Sequence, residues 1–333
     1  MTKNNYLNVV IASLENDNLK NVIESFRSDI IRAGRNLHNF QHIKVGNKNV
    51  EITNLPNVYN KLREKIRVLG VNDCMVLIVD CQNPNIKENQ NLLKIANQLG
   101  IQYFNILVIN SSSEDNKKIK NDIMDDLSIN DIVFTCANSG LEIVSNLKDY
   151  FNSLPIIAHP IEELFGLRVN NFYNIEKKNE VIVTGIIEKG KINKNDVISV
   201  VKSYKIERIE NNGKEINSAE AGQPVGMLLK GLEKDAIASG DTLVNPITFN
   251  QYYKANCTLI KNKDVSEIVY NKKYLIKGRN QGRNCSVHFV KSKNGLMFHA
   301  KRPIDLSDGL RFLVFDKTGG LIGQLEVDAI SIQ

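Results

Sequence analysis

The sequence lacks the features that would place the protein in a membrane or outside the cell. It contains no run of about 20 apolar residues, the length that a membrane-spanning helix requires. Its first residues, MTKNNYLNVVIAS, lack the charged region, the long apolar region and the small-residue cleavage site of a secretion signal, and they are typical of a buried strand. The cysteines are odd in number and unclustered, which favours reduced thiols over disulfide bonds or a zinc site: Cys74, Cys81, Cys136, Cys257 and Cys285. These absences predict a cytoplasmic protein with no membrane partner.

Catalytic patterns are equally scarce. The histidines are scattered along the chain: His38, His42, His159, His288 and His299. None of them has a second metal ligand at helical or hairpin spacing. Cys81 follows Asp80 at the end of an apolar run, and no histidine beside it in sequence would activate it as a nucleophile. The sequence therefore predicts no metal site and no catalytic group.

Positive charge is concentrated in the second half of the chain. The formal net charge is +6, yet residues 1–155 contain 17 basic and 17 acidic residues. The segment Lys254–Arg302 contains 12 basic residues and two acidic ones, Asp264 and Glu267. A local excess of this size attracts the phosphate backbone of a nucleic acid. The alternative is a solvated lysine-rich surface that has no partner.

The first half of the chain alternates between apolar strands and amphipathic helices. The strands are predicted at Tyr6–Ser13, Cys74–Asp80, Tyr103–Asn110 and Asp131–Thr135, with a hairpin around Gly46-Asn47. One helix is predicted from the helical spacing of Leu19, Val22, Ile23 and Phe26, and others over Val58–Leu69, Ile86–Leu99, Asp115–Leu127 and Gly140–Phe151. Such an alternation predicts a doubly wound parallel sheet with helices on its faces.

A different pattern begins at Val181. Short β-branched stretches punctuated by glycines run from there to Leu243. Several short strands within so few residues predict a small closed barrel, because closure removes exposed strand edges. Asn245-Pro246 ends this region, and the chain from Phe249 onward alternates again, which predicts a second barrel.

Three motifs in the first barrel carry a resemblance to a known family. They are VIVTGIIEKGKINKND from Val181, AGQPVGMLLKG from Ala221 and IASGDTL from Ile237. In this order they resemble the second domain of translational GTPases, and the elongation factor Tu group in particular, with its selenocysteine-specific and pyrrolysine-associated relatives. The later stretch IDLSDGLRF, which contains Arg311, is similar to part of the family's third domain. The alternative is an unrelated six-stranded barrel.

The resemblance implies a multidomain protein that combines α/β and all-β parts. Residues 1–154 would form a P-loop-NTPase-like domain with a doubly wound parallel sheet, similar to the family's GTPase domain. Residues 155–246 and 247–333 would form two antiparallel β-barrels. The family's barrels hold aminoacyl-tRNA, which implies tRNA or another RNA as the partner, the ribosome as a further one, no DNA, and a monomeric protein.

The nucleotide-binding motifs of that family are missing. The P-loop, G-x-x-x-x-G-K-[ST], would fall on Ser13–Asn18, which has neither glycine nor lysine and contains two acidic residues that would repel phosphate. The D-x-x-G element would fall on Thr53–Pro56, and the guanine-reading N-K-x-D on Asn110–Ser113. The family's long first switch is shortened to about Gly34–Gln41. A degenerate nucleotide loop is thus predicted from Ser13, Glu15, Asn16, Asp17 and Asn110.

Two sets of residues are predicted to bind RNA. In the first barrel they are Val225, Gly226 and Met227, where Gly226 would be glycine because a nucleobase or a partner side chain approaches the backbone. Pro224 stands where elongation factor Tu has an asparagine near the aminoacyl pocket, which leaves recognition of the amino acid open. In the second barrel they are Lys272, Lys273, Lys277, Arg279, Arg283 and Arg311.

These patterns predict an elongation-factor-like protein that binds tRNA or another RNA and is a pseudo-GTPase with neither GTP nor magnesium. One alternative is a divergent translation factor that still holds GTP weakly and retains some GTPase activity. The other is a non-enzymatic protein that docks on the ribosome or on another factor.

Overall fold

The chain forms two compact units, residues 1–159 and residues 160–333. The computed structural model describes residues 5–33, 41–55, 65, 68–70, 72–125, 127, 129, 131–157, 160–175, 180–199, 203–231, 237, 241–246, 251–262, 267–278, 285–293, 295–305, 311–316 and 321–329. Within these ranges, no helix combines the length and the apolar character that crossing a bilayer requires.

The elements whose bounds the described residues of the first unit define are seven strands and four helices. The strands are β1 (Tyr6–Ser13), β2 (Ile30–Ala33), β3 (Gln41–Val45), β4 (Lys48–Leu55), β5 (Cys74–Asp80), β6 (Tyr103–Ile109) and β7 (Ile132–Ala137). The helices are α1 (Asn16–Ser25), α2 (Ile86–Gln98), α3 (Ser113–Met124) and α4 (Gly140–Ser153). The predicted elements are confirmed to within a few residues at their ends. Most of the helix predicted over Val58–Leu69 and most of the short switch at Gly34–Gln41 lie outside the described residues, although Lys65, Val68 and Leu69 are described and helical.

The seven strands form one mixed sheet in the order β2-β3-β4-β1-β5-β6-β7. Five neighbouring strands, from β4 to β7 in that order, are parallel, while β3 runs antiparallel to both of its neighbours, β4 and the edge strand β2. The central strands β1 and β5 are apolar and buried along almost their whole length, as strands covered on both faces are. Because parallel strands share one direction, their carboxyl ends meet at a single edge of the sheet, where ligands bind in folds of this class.

The helices α1 and α4 cover one face of this sheet. Val22 and Phe26 from the first helical region and Leu147 and Phe151 from α4 belong to the same buried cluster as the β1 residue Val9. These residues recur at helical spacing, so each helix presents a continuous apolar stripe to the strands. This packing fixes the start of α1 directly after the carboxyl end of β1.

A buried lysine fastens the β3–β4 hairpin to the end of α4. The ammonium group of Lys48 donates hydrogen bonds to the carbonyl oxygens of Phe151, Asn152 and Leu154 at 2.8, 2.8 and 2.5 Å. The last carbonyls of a helix have no partner within the helix and carry partial negative charge, so a cation suits them. Lys48 is 4% exposed. Its three acceptors offset much of the cost of burying a charged group.

The second unit consists of β-strands throughout its described residues. The first group is β8 (Gly166–Ile175), β9 (Glu180–Lys189), β10 (Lys191–Asn193), β11 (Val197–Ser199), β12 (Ser203–Asn211), β13 (Lys214–Ile216), β14 (Ser218–Glu220), β15 (Pro224–Lys230) and β16 (Thr242–Val244). The second group is β17 (Gln251–Lys261), β18 (Lys273–Gly278), β19 (Cys285–Ser292), β20 (Gly295–Asp305), β21 (Arg311–Phe315) and β22 (Leu321–Ala329).

The first group closes into a six-stranded antiparallel ring. Its order is β11-β16-β8-β9-β15-β12, and pairing between β11 and β12 completes the circuit. Gly185 lies at a close crossing in this ring, because a Cβ atom placed there would come within 2.0 Å of the carbonyl oxygen of Arg168. Only glycine fits so close a backbone approach, which accounts for the glycine in the motif that begins at Val181.

The second group closes into a barrel of its own, in the order β17-β20-β19-β18-β21-β22. Its interior is filled by alternate residues of the strands, among them Phe289, Phe298, Phe312 and Leu325. Each ring has its own apolar cluster. The fold class predicted from the sequence, an α/β sheet followed by two antiparallel barrels, is therefore confirmed.

Candidate functional site

The edge of the sheet where β1 and β5 end is lined by carboxylates. Ser13 ends β1, and its hydroxyl accepts a hydrogen bond from the backbone nitrogen of Glu15 at 3.1 Å. Glu15 caps the start of α1, and its carboxylate accepts hydrogen bonds from the side-chain amides of Asn18 at 2.7 Å and Asn83 at 2.6 Å. The segment Ser13–Asn18, where a phosphate loop would fall, is thus held by hydrogen bonds from side-chain amides to the Glu15 carboxylate.

The second carboxylate at this edge belongs to Asp80, the last residue of β5. It accepts hydrogen bonds from the side-chain amides of Asn18 and Asn110, both at 3.1 Å, and from the backbone nitrogen of Gln82 at 2.9 Å. The Asn18 nitrogen therefore bridges the carboxylates of Glu15 and Asp80. This network, Glu15, Asn18, Asp80, Asn83 and Asn110, is called the carboxylate–amide cluster below.

The structure brings together only some of the residues predicted for a nucleotide loop. Ser13, Glu15 and Asn110 meet at the edge of the sheet, whereas Asn16 and Asp17 are exposed in the first turn of α1. Sequence reasoning missed Asn18 and Asn83, which supply the amide donors. Their residue type gave little signal, because asparagine is abundant throughout this chain.

The segment that corresponds to the guanine-reading loop starts a helix. Ser112 caps α3: its hydroxyl accepts from the backbone nitrogen of Asp115 at 3.3 Å, and its own backbone nitrogen donates to the Asp115 carboxylate at 3.3 Å. The Ser112 hydroxyl also donates a hydrogen bond to the Asp115 carboxylate at 2.5 Å. This bond, together with the one from the Ser112 backbone nitrogen, lowers the pKa of Asp115. Ser111 exchanges two further hydrogen bonds with Asn138, at 3.0 and 3.1 Å. The polar groups of this loop therefore form hydrogen bonds with neighbouring protein groups, including a capping box at the start of α3.

The residues at this edge do not fit a nucleoside triphosphate with magnesium. A phosphate site needs backbone donors, a cation and a hydroxyl for the metal, whereas here two carboxylates stand close to the start of α1. Cys81, next to Asp80, is no more suited to catalysis, because burial and the neighbouring Asp115 and Asp80 raise the pKa of its thiol. Among the described residues, no group of three or more His, Cys, Asp or Glu side chains could hold a metal ion.

The first barrel presents a partly apolar outer face. Along β15 the side chains alternate, so that Val225 and Met227 are buried in the core while Gly226 lies on the outer face. The strand turns the side chains of Val225 and Met227 toward the interior. Their predicted part in RNA binding, which stays a prediction, would therefore involve the backbone of β15 and not these side chains. A Cβ atom at Gly226 would meet only the Thr184 methyl carbon, at 4.0 Å. Among the described residues, no other group lies within 4 Å of that position, so the space over Gly226 is open with respect to them.

A row of larger side chains lies next to Gly226 on the same outer face. Cross-strand pairing places Tyr173, Ile182, Leu228 and Arg208 side by side on β8, β9, β15 and β12. Tyr173 is 53% exposed. Arg208 forms an exposed ion pair with Glu210, with a nitrogen-to-oxygen distance of 3.2 Å. We call this row, together with Gly226 and Thr184, the barrel platform.

The basic residues predicted in the second barrel differ in exposure. Lys272 and Lys273 are exposed at the start of β18. Lys277 is 2% exposed, which contradicts its prediction as a surface contact for phosphate. Arg311 is exposed, and its Nε lies 2.9 Å from a carboxylate oxygen of Glu326. Arg279 and Arg283 lie outside the described residues.

Comparison with known proteins agrees with this architecture. Residues 180–244 match the sequence profile of the family described as elongation factor Tu domain 2. The chain superposes on translation elongation factor SelB from Methanococcus maripaludis in complex with the GTP analogue GppNHp with a TM-score of 0.81, at 16% identity, over 98% of this chain and 79% of that one. The apo form of that protein gives a TM-score of 0.75 at 17% identity, over 98% and 80% of the two chains.

A bacterial selenocysteine-specific elongation factor, EF-Sec, has a similar structure. The TM-score is 0.78 at 15% identity, and the match covers 98% of this chain but 59% of that one. The chain thus spans about three fifths of the length of that relative. At these identities the structural likeness concerns the fold. Residues 180–244 therefore match the elongation factor Tu domain 2 family, in a chain whose fold is that of the selenocysteine-specific translation elongation factors.

Proposed function

We propose that this protein is an elongation-factor-like RNA-binding protein, with tRNA as its first candidate ligand, and that it has lost the ability to use GTP. The proposal has two parts, RNA binding by the barrels and absence of nucleotide from the α/β unit. They rest on different observations, so each can fail by itself.

The barrel platform is the observation that carries RNA binding. An exposed aromatic ring such as that of Tyr173 is a surface on which a nucleobase can stack, and stacking of this kind is worth about 1–3 kcal/mol for each base. The open space over Gly226 allows a ligand to reach the backbone of β15. Arg208 adds a guanidinium at the end of the row, and its ion pair with Glu210 is exposed and of small energetic worth.

The basic side chains of the second barrel support the same proposal. Lys272 and Lys273 project into solvent beside one another and belong to the segment with the greatest excess of positive charge. The A-form RNA helix is recognised largely through its phosphates and 2′-hydroxyl groups, which flexible lysine side chains can reach. Arg311 can join them, since its pair with Glu326 is exposed to solvent.

The carboxylate–amide cluster supports the absence of GTP. A β- or γ-phosphate at the start of α1 would approach the carboxylates of Glu15 and Asp80, which the amide of Asn18 holds in place. Repulsion between unit charges 4 Å apart is of the order of 4 kcal/mol near a protein surface, so two such contacts exceed what a helix N-terminus contributes. Neither a lysine nor a glycine-rich loop is present in Ser13–Asn18 to offset them.

We further propose three domains, residues 1–154, 155–246 and 247–333, and a monomeric protein that acts in the cytoplasm, with the ribosome as a second partner. The first domain would then serve as a scaffold that carries the barrels. Whether the amino acid of an aminoacyl-tRNA is recognised depends on Pro224, which offers no amide side chain where elongation factor Tu has one.

Fluorescence anisotropy with labelled tRNA, aminoacylated and deacylated, tests the RNA part. We expect saturable binding of at least one form at moderate salt, and weakening when Tyr173 is replaced by alanine. Absence of binding to both forms, together with co-sedimentation with ribosomes, would favour the docking protein instead. Calorimetric titration with GTP and Mg²⁺ tests the second part separately, and tight binding would favour the divergent GTPase.

A further inference from the structure

Two histidines that are separate in the sequence lie next to each other on the second barrel. His288 on β19 pairs directly with His299 on β20, and the centroids of their rings are 5.2 Å apart. Directly paired residues of an antiparallel sheet project from the same face. Phe289 and Phe298, the next pair along these strands, point into the barrel core, so the two imidazoles lie on the outer surface.

A lysine lies on each side of this pair. On one side Lys273 of β18 is directly opposite His288, and on the other side Lys254 of β17 is directly opposite His299. The outer surface therefore carries four basic side chains in a row, Lys273, His288, His299 and Lys254, one from each of four adjacent strands. We call this row the basic strip. Adjacent strands are about 4.8 Å apart, so the basic strip is about 14 Å long.

One row of described residues beside the basic strip is uncharged. The neighbouring row on the same face consists of Val290, Met297 and Asn256. Two carboxylates described on β22, Glu326 and Asp328, are engaged by other groups: Glu326 with Arg311 at 2.9 Å, and Asp328 with the hydroxyl of Thr258 at 3.0 Å.

We propose that the basic strip is a proton-linked contact surface for the phosphate backbone of RNA. The inference rests on the proposed RNA binding and assigns to it a site and a dependence on pH. A strand of nucleic acid carries one phosphate for about every 3.4 Å of duplex axis, so a 14 Å strip can contact more than one phosphate. The phosphate backbone fits such a row because it presents a line of regularly spaced negative charges.

The histidines explain how the strip avoids a cost in the free protein. Burial lowers the pKa of His299, and the adjacent His288 and Lys254 lower it further. The neutral form of His299 is therefore favoured while no anion is present, which limits repulsion within the row. A phosphate placed against it would favour the imidazolium form, and the complex would take up a proton.

The direction of the pH dependence follows from this linkage. Because the pKa of His299 is low in the free protein and higher in the complex, RNA binding strengthens as the pH falls between these two values. Each unit by which binding raises the pKa corresponds to a tenfold gain in affinity at the low-pH end. Because the pKa of His299 in the free protein lies below 6.5, only part of this gain is reached at pH 6. For a rise of one unit we expect affinity to increase by a factor of about 3–6 between pH 8 and pH 6.

The test measures the affinity of labelled tRNA for the full chain by fluorescence anisotropy at pH 6, 7 and 8, at constant ionic strength. The wild type is compared with the double variant H288Q/H299Q and with Lys261→Gln. Lys261 is exposed on β17 outside the basic strip, so its replacement removes one charge from the same barrel without touching the row. Wild type and Lys261→Gln should show the same pH dependence, and H288Q/H299Q should be nearly flat.

The outcomes separate the inference from the proposed function. RNA binding with equal pH dependence in wild type and H288Q/H299Q would overturn the inference and leave the proposed function intact. Absence of RNA binding at every pH would overturn both. A second measurement follows the ring protons of His299 by NMR with and without tRNA, where a pKa that does not rise in the complex contradicts the inference. Melting temperatures at each pH control for loss of the fold.

Discussion

Asn110 donates a hydrogen bond from its side-chain nitrogen to the carboxylate of Asp80 at 3.1 Å. Asn110 is the one residue that the chain keeps at the position of the guanine-reading motif. Its amide donor is directed to the end of β5, where a second amide, that of Asn18, binds the same carboxylate oxygen. A purine that used this asparagine would have to break the bond and leave a carboxylate without that partner.

The first prediction concerns the nucleotide. Titration of the protein with GTP and Mg²⁺ should produce no binding heat at physiological nucleotide concentration, and GTP should leave the melting temperature unchanged. A ligand present at a concentration of 100 times its Kd would stabilise the folded state by about 2.7 kcal/mol, so the shift in melting temperature is a sensitive second measurement. Methanococcus maripaludis SelB, whose structure contains a GTP analogue, is the positive control. Binding of GTP with a sub-micromolar Kd would contradict the prediction.

The second prediction separates two glycines of the first barrel. Gly226→Val should change the free energy of unfolding by no more than about 0.5 kcal/mol, because the new side chain enters open space, and should weaken RNA binding at least tenfold if a base approaches there. The matched control is Gly185→Ala, which would place a Cβ 2.0 Å from a carbonyl oxygen and should cost about 3 kcal/mol. Urea unfolding and tRNA anisotropy are the measurements. A Gly226→Val protein with unaltered RNA affinity would remove Gly226 from the interface.

The third prediction concerns the buried ammonium of Lys48. Lys48→Met should destabilise the protein by about 2–3 kcal/mol, because three carbonyl oxygens at the end of α4 lose their donor. Lys44→Met, at an exposed position of the same hairpin, should stay within about 0.5 kcal/mol of the wild type. The free energy of unfolding comes from urea denaturation followed by circular dichroism. Equal values for the two variants would mean that these hydrogen bonds do not stabilise the fold.

The fourth prediction concerns the exposed lysines at the start of β18. Each direct phosphate contact contributes about 0.7–0.9 to the slope of log affinity against log salt concentration. Lys272→Ala/Lys273→Ala should therefore flatten this slope by about 1.4–1.8 and leave the melting temperature unchanged, since both side chains are exposed. Lys277→Ala, at a buried position of the same strand, should instead lower the stability. Equal slopes of log affinity against log salt concentration for wild type and the double variant would mean that the phosphate contacts lie elsewhere.

Several features could be predicted from the sequence because they depend on local patterns. The apolar run Cys74–Asp80 can only be a strand buried on both faces, and the structure has β5 over those same residues. The hairpin turn at Gly46, whose φ is +59°, follows from a pair of residues suited to left-handed backbone. The motif that begins at Val181 identified the first barrel, because glycines at close crossings such as Gly185 leave little freedom for substitution.

Other features depended on which groups meet across the sheet. His288 and His299 seemed unrelated in the sequence, since only the register of β19 and β20 makes them neighbours. The bridge that Asn18 forms between Glu15 and Asp80 joins residues about 60 positions apart, and such contacts leave no periodic signal. The sequence could show that the phosphate loop was missing, but not what took its place.

By itself the sequence determined the order of elements, the class of each part and the absence of the nucleotide motifs. Hydrophobic periodicity, turn preference and motifs depend on residues that are close together in the chain. What only the tertiary structure decided is the direction and burial of individual side chains. Val225 and Met227 face a core and Gly226 faces outward, while Lys277 is buried and Lys273 is exposed on one strand. The physical reason is that a strand offers two faces and the sequence fixes their alternation, whereas the packing of other strands decides what covers each face.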